Sequence, residues 1–508
     1  MGNAVPTRFQ GVYIRVAGRY GNREITHQEM LKMPATQLKK VYDEQESVTT
    51  EVNDLVAAAQ HAFKEYQAFD QKQVDAICQA VVNAAIVHSR VLAFLAWKET
   101  GRGNAEDKAI KNIYASQYIW NNIKNDKTVG KIAEDPIHGI TKYAEPLGVV
   151  AGVTPVTNPT STVIFKILMA LKTRNAIIFG LHPQAQQCGA ATVRVLAKAA
   201  TDAGAPANLI QYIHHPSIEA TSALMNNPQV AIVLATGGPG MVKAAYSTGK
   251  PALGVGPGNA PAYIEQSCDI KATVSDIMLS KTFDNGMICA SENSIVVDAA
   301  IEDQVKAEFT RQGAYFVPEA DVAKLSAAVI DPQRHTVRGP VAGQTAEKIA
   351  KLAGITVPAG TKVLIAPVAG IGTNYPLSGE KLSPVLSMYR ANDRQAAFNL
   401  CLALLNYGGL GHTAALHTTN KDVIAAFGQM MPACRILVNQ PASLGGIGGL
   451  FNALTPSLTL GTGTYGKNSI SHNLTDTDLL NIKTVATPTR HPNALIAELR
   501  GVIRKQQL

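Results

Sequence analysis

Residues 149–181 read VVAGVTPVTNPTSTVIFKILMALKTRNAIIFGL. The run 149–153 is short, apolar and valine-rich, and a Pro-containing turn ends it, which predicts a buried strand. Asn158-Pro159 then opens a helix over 160–171, and 176–179 predicts a second buried strand closing at Gly180. A strand, a crossover helix and a second strand make a βαβ unit. The alternation continues, with helices expected over 184–203, 218–225 and 241–248 and strands over 210–213, 230–234 and 252–255. This is the pattern of an α/β protein whose parallel sheet is covered by helices on both faces. Such sheets bind ligands beyond the carboxyl ends of their strands. The loops 154–159, 180–183, 214–216 and 235–240 are therefore the places to search for a site.

Upstream of this unit, 52–124 is helical in pattern, with helices expected over 56–63, 74–95 and 109–120 and a break at Gly101-Arg102-Gly103. Residues 129–144 predict two short strands around Pro136, a projecting hairpin. Residues 1–45 form a leader with a strand-like stretch at 12–16, and Pro34 interrupts any helix starting near Ile25. Downstream, a second alternating unit follows Pro261, with helices over 270–281, 301–310 and 394–405 and a strand over 294–297. It ends near the glycine-rich run 445–449. There is no internal repeat and no low-complexity tract.

The chain has 508 residues, enough for several domains, and its 46% hydrophobic and 17% charged residues are an ordinary globular composition. Apolar runs such as 176–181 stop far short of the roughly 18 residues a membrane span requires, so no membrane association is expected. Six cysteines (Cys78, Cys188, Cys268, Cys289, Cys401, Cys434) lie far apart with no Cys-x-x-Cys pair. That spacing excludes a usual zinc or iron–sulfur site and a dense disulfide framework, so no metal is expected. Without a secretory signal pattern, a cytoplasmic location is the expectation. The net charge is +8, and residues 1–40 hold seven Lys/Arg against two Glu. No basic stripe interleaved with aromatics accompanies it, so nucleic acid is not an expected partner. The excess is either a solvated face or a mild attraction for anionic nucleotides.

Several motifs could carry chemistry. Gly461-Thr-Gly463-Thr-Tyr-Gly466 matches G-x-G-x-x-G but precedes Lys467-Asn-Ser-Ile-Ser-His, a poor helix start, and so reads as a structural turn. Cys289 follows the turn Asp284-Asn-Gly286, where it is either an exposed nucleophile or a buried, inert thiol. No Lys or His near it in sequence would lower its pKa. Asn158 is either the N-cap of the 160–171 helix or an amide aimed at a developing oxyanion. Thr236-Gly237-Gly238 follows a strand and opens a helix, leaving room for a ligand at the helix start. The turn 254–259 is glycine-rich, and no acidic residue occurs from 244 to 264. His412, in Gly411-His-Thr413, is either functional or a satisfied structural histidine.

Together these segments resemble the aldehyde dehydrogenase superfamily, and more closely its CoA-acylating branch. The likeness rests on 157–166, 171–179, 283–294, Glu380-Lys-Leu-Ser-Pro384, Gly411-His-Thr413 and 456–461, and spans roughly 50–490. The stretches look like the aldehyde dehydrogenase half of bifunctional aldehyde–alcohol dehydrogenases. The resemblance implies two doubly wound parallel-sheet domains plus a small β oligomerisation arm. It divides the chain into a leader (1–45), an NAD-binding domain (46–128 and 148–260) and an arm with a tail (129–147 and 472–508). The catalytic domain would be 261–446, with a return segment at 447–471.

The same resemblance makes Cys289 the nucleophile and Asn158 the oxyanion donor, with His412 positioning CoA or the thioester. Thr154, Pro155, His182, Thr236, Gly237 and Gly238 would line the dinucleotide, and Glu380 and Leu382 would meet its nicotinamide ribose. NAD is the expected cofactor, with NADP as the alternative, and coenzyme A the co-substrate. Hydrolytic relatives place a glutamate where Gly254 or Val255 stands here. Without that base, water attacks the acyl-enzyme slowly while a CoA thiolate does not need one. The implied reaction is reversible acetaldehyde oxidation to acetyl-CoA, with another short aldehyde as the alternative and a hydrolytic activity less favoured. A homodimer or higher homo-oligomer is expected, and residues 1–45 could serve assembly or encapsulation.

Overall fold

A computed structural model describes the backbone of residues 13–16, 23–26 and 35–506 and the side chains of 47–506. Most of the leader lies outside these residues. Within it, β1 (Tyr13–Val16) pairs antiparallel with β2 (Arg23–Thr26), and a long helix, Ala35–Tyr66, runs across the expected boundary at residue 45.

The arm comes next. β3 (Gly130–Asp135) and β4 (Ile140–Pro146) form the expected hairpin. Its partner is supplied by the chain's own tail, because β17 (Leu480–Ala486) pairs with β4 along its full length. A hairpin with little buried apolar surface is marginal by itself, and the third strand meets that need.

The first sheet contains β5 (Val149–Val153), β6 (Ala176–Gly180), β7 (Ile210–Tyr212), β8 (Val230–Thr236) and β9 (Ala252–Val255), in the order β7-β6-β5-β8-β9 and all parallel. From β5 the chain winds outward to β6 and β7, then returns to β8 and winds the other way. Right-handed crossovers place the helices of the two halves on opposite faces. The order reverses between β5 and β8, and there the loops part to leave a crevice. The helix Pro159–Lys172 is buried at every position. Its Lys166 Nζ donates to the carbonyls of Val153 and Leu234 (2.7 Å to the latter), tying the carboxyl ends of β5 and β8 together beneath that crevice.

The second sheet has seven parallel strands. These are β10 (Ala260–Ile264), β11 (Glu292–Asp298), β12 (Ala314–Phe316), β13 (Val363–Pro367), β14 (Val385–Ala391), β15 (Gly411–His417) and β16 (Ala433–Val438), ordered β12-β13-β14-β11-β10-β15-β16. Only β11 was expected. β10 is hidden by Pro261, which a central strand excludes unless the ladder is broken, and the β10–β11 register does shift between Ala260 and Pro261. The expected single helix 74–95 is two, Gln71–Val87 and Ser89–Thr100, broken at His88, whose Nδ1 bonds Ala84 O at 2.8 Å. The 101–103 break is as expected, with Gly101 left-handed at the helix end. Beyond it the helix expected over 109–120 is Ala105–Ile113, a π-helical turn Tyr114–Tyr118 and Ile119–Ile123.

After β16 the chain returns to the first domain, where Leu444, Ile447, Leu460 and Leu474 join its core. Phe283, Ile288 and Ala290 belong to that same core, so the cysteine turn packs against the first sheet's domain although it precedes a strand of the second. Within Gly461–Gly466 only Thr464–Gly466 forms a 3₁₀ turn and no helix follows, in keeping with the reading of the segment as a structural turn. Among the described residues no single helix is long and apolar enough to cross a membrane, and no cluster of three or more His, Cys, Asp or Glu could hold a metal.

Candidate active site

One cavity of about 1130 Å³ lies between the two sheets. Its walls are the loops after β5, β6 and β8, the turn after β9, the cysteine turn and the segment before β14. Thr154, Pro155, His182, Thr236, Gly237, Gly238, Glu380, Leu382, Asn158 and Cys289 all line it. These residues come from five separate stretches of the chain, and the strand ends bring them together.

Cys289 sits partly exposed on the cavity floor. Burial and the nearby Glu380 carboxylate push its thiol up to about 12, against the opposing pull of Arg435 and Lys111. Arg435 and Lys111 are remote in sequence, so the cationic neighbours could not be read there. The thiol is therefore protonated at neutral pH, and its thiolate fraction rises tenfold per pH unit. With no dinucleotide present, the rate of inactivation by iodoacetamide should climb about tenfold per unit from pH 7 to 9. A plateau below pH 8 would show a thiolate already formed.

Behind Cys289, the turn Phe283–Gly286 contains two left-handed residues, Asp284 (φ 46°) and Asn285 (φ 53°), residue types that tolerate this conformation. The Asp284 carboxylate is fully buried and accepts from Lys108 Nζ at 3.0 Å, from Lys111 Nζ, and from the backbone N–H of Asn104 at 2.9 Å. A Cβ on Gly103 would lie 1.8 Å from Asp284 Oδ1, so only glycine allows this approach. Lys111 also donates to Asn158 Oδ1 at 2.7 Å.

This triangle was missed in sequence. Its only local traces are the Asp-Asn-Gly turn and the i,i+3 spacing of Lys108 and Lys111. Asp284→Ala leaves two buried ammonium groups without their carboxylate and should cost about 3–5 kcal/mol in chemical denaturation. A loss under about 1 kcal/mol would mean the lysines do not depend on it.

Asn158 begins the helix Pro159–Lys172, yet its side chain makes no capping bond. The capping alternative thus has no bond behind it. Instead Lys111 fixes the Oδ1, and Nδ2 points over the cysteine turn, 3.2 Å from Met287 O and 3.2 Å from Thr157 Oγ1. Both contacts are long for amide donors, so a charged oxygen would compete for them.

Glu380 is the sole carboxylate among the residues lining the cavity. Its Oε1 accepts the Gly258 N–H at 3.2 Å, and burial raises its carboxyl to about 7. Gly254 and Val255 end β9, just before the turn that holds Gly258, and neither is an acid. Thr154 Oγ1 and Thr236 Oγ1, at the carboxyl ends of β5 and β8, are buried without a hydrogen-bond partner. Unsatisfied hydroxyls facing a crevice at the switch point suit the polar groups of a dinucleotide.

His412 does not line the cavity. It is fully buried on β15, with Nδ1 bonded to Thr413 Oγ1 at 2.9 Å and Nε2 without a partner. The Gly258 backbone lies close to both its ring and the cysteine backbone. A Cβ there would stand 2.1 Å from Cys289 O and 3.1 Å from the His412 ring, so the glycine is wedged between them.

Residues 26–449 match the model of the aldehyde dehydrogenase family. The chain is 47% identical to aldehyde-alcohol dehydrogenase 2 of Entamoeba histolytica over 87% of this chain and 52% of that protein. It is 47% identical to a bifunctional aldehyde-alcohol dehydrogenase of Escherichia coli strain K12, over 86% and 49%. The chain thus spans about half the length of these curated relatives. A solved structure of an acetylating aldehyde dehydrogenase from Geobacillus thermoglucosidasius superposes with a TM-score of 0.86 at 44% identity, over 88% of this chain and 98% of that one.

Proposed function

The chain belongs to the aldehyde dehydrogenase family, and from that premise we propose that it is a CoA-acylating dehydrogenase for a short aldehyde, acetaldehyde first. In this reading the Cys289 thiol gives up its proton to solvent water, and the thiolate attacks the aldehyde carbon to form a C–S bond. The resulting oxyanion is held by Asn158 Nδ2, which Lys111 orients, together with the Cys289 backbone N–H. A nicotinamide dinucleotide, when bound, supplies the acceptor for the hydride that leaves this carbon, which becomes a thioester carbonyl. Thr154, Pro155, Thr236, Gly237 and Gly238 would hold that dinucleotide, with Glu380 and Leu382 near its second ribose. NAD is the proposed form. A CoA thiolate then attacks the thioester carbon, the bond to Cys289 breaks and the cysteine sulfur is released as thiolate. The reverse direction uses the same groups. His412 acts from behind, keeping Gly258 against the cysteine backbone.

The observation that carries this reading is the cavity's carboxylate inventory. Hydrolysis of a thioester at neutral pH needs a base on the attacking water, commonly contributing ~10²–10⁴-fold. The end of β9 and the turn after it, 254–258, offer none, and the one carboxylate lining the cavity, Glu380, has its Oε1 held by Gly258 N–H at 3.2 Å. A thiol acceptor ionises by itself far more readily than water. The test is NADH formation from a panel of short aldehydes with and without CoA. CoA-dependent NADH and acyl-CoA support the proposal, whereas free acid formed equally fast without CoA overturns it.

Assembly belongs to the same proposal. The arm and tail carry exposed apolar side chains: Ile137 in the turn between β3 and β4, Ile482 and Val485 on the edge strand β17, and Leu499 and Ile503 on a tail helix Pro492–Lys505. These surfaces suit a homodimer or larger homo-oligomer. A monodisperse monomer at micromolar concentration by light scattering would refute it.

A further inference from the structure

Past the carboxyl end of β6 the cavity meets a second cleft, of about 510 Å³, and the two share Arg102, Pro183, Gln184 and Gly339. Arg102 comes from the 101–103 break and reaches over Gly339, with Nη2 3.4 Å from Gln184 Oε1. No carboxylate pairs with its guanidinium among the described residues. Burial depresses its pKa, and its charge adds to burial in depressing that of His182. Gln184 N–H lies 3.1 Å from His182 Nδ1, so the ring proton of the neutral imidazole sits on Nε2 and is free to donate. Lys348 lines the same cleft, with Nζ donating to Gln344 Oε1 at 2.7 Å. The one acid there, Glu99, is already taken, accepting from Gln187 N at 2.8 Å and Cys188 N at 2.7 Å.

The cleft thus presents cationic and donor groups, and its one acid, Glu99, has both oxygens accepting from backbone N–H groups. A half-buried guanidinium with only a long amide contact is poorly compensated until a ligand supplies negative charge. Its position narrows the ligand. At the end of the second strand of a doubly wound sheet, an acid grips the ribose hydroxyls of an adenosine, while an arginine accommodates a phosphate on that ribose. Here β6 runs into Gly180-Leu-His-Pro183-Gln184, without an acid.

We propose that Arg102, flanked by His182 and Lys348, binds the phosphomonoester on the adenosine ribose of a coenzyme, the 3′-phosphate of CoA or the 2′-phosphate of NADP. The inference rests on the reading above that the cavity takes adenine coenzymes.

Calorimetric titration of the full chain with 5′-AMP, adenosine 3′,5′-bisphosphate and adenosine 2′,5′-bisphosphate tests it without turnover. At least one bisphosphate should bind wild type roughly 10- to 100-fold more tightly than 5′-AMP, the range for one charge-assisted contact. In Arg102→Gln that preference should fall to within about threefold, and Arg102→Lys should retain part of it. A preference for the 3′ isomer assigns the site to CoA, and one for the 2′ isomer assigns it to NADP. A wild type that does not distinguish the bisphosphates from 5′-AMP overturns the proposal, as does a preference that survives in folded Arg102→Gln. The kinetic counterpart is KM for CoA against 3′-dephospho-CoA. If wild type makes no acyl-CoA at all, the acylating reading fails, while the titrations still decide the phosphate site.

Discussion

Cys289→Ala is expected to remove NADH formation from any aldehyde, by on the order of 10⁶-fold, the scale on which losing a serine nucleophile collapses a hydrolase. The loss should be chemical and not structural. The thiol lies on the floor of a cavity that already exists, so truncation lengthens open space and leaves no new void in a packed core. Melting temperature should move by only a few degrees. Residual activity within tenfold of wild type would remove Cys289 from the mechanism. Cys78, Cys188 and Cys401 are buried. Replacing them should cost packing stability while leaving catalysis in place.

Asn158→Ala is the second large effect. Removal of one oxyanion donor costs ~10²–10³ in kcat elsewhere, and the geometry here calls for the same. Its Oδ1 is held by Lys111 at 2.7 Å, so the amide cannot flip without losing a charge-assisted bond. Since no helix-capping bond is made, the ~1 kcal/mol that a lost cap costs should not appear. A drop in kcat with a steady melting temperature supports the oxyanion role. A falling melting temperature with kcat within threefold would make Asn158 a structural residue.

The first sheet was legible because each of its strands is a short apolar run between turn residues, and β5 to β9 lie within about two residues of expectation. The second was mostly illegible. Pro261 disguises β10, β12 has three residues, and β15 opens on Gly411 and His412, which read as a loop. β13, Val363–Pro367, is a short apolar run that lies outside the expected alternation. The site shows the same division. Cys289, Asn158 and the threonine and glycine loops were legible chiefly through resemblance, since their local sequences also fit inert roles. Lys111 and Asp284 lie 173 positions apart, and nothing local announces that they meet. Arg102 looked like part of a helix break, and only the fold brings it to the end of β6.

The central claim is that an acyl group resides on Cys289 and leaves to a thiol in preference to water. Incubation of the protein with acetyl-CoA alone, followed by peptide mass spectrometry, tests it directly. The account predicts one acetyl group on the Cys289 peptide, absent in Cys289→Ala and discharged faster by added CoA than by buffer. Acetylation confined to other residues, or discharge to free acetate at a rate that CoA does not raise, would contradict it.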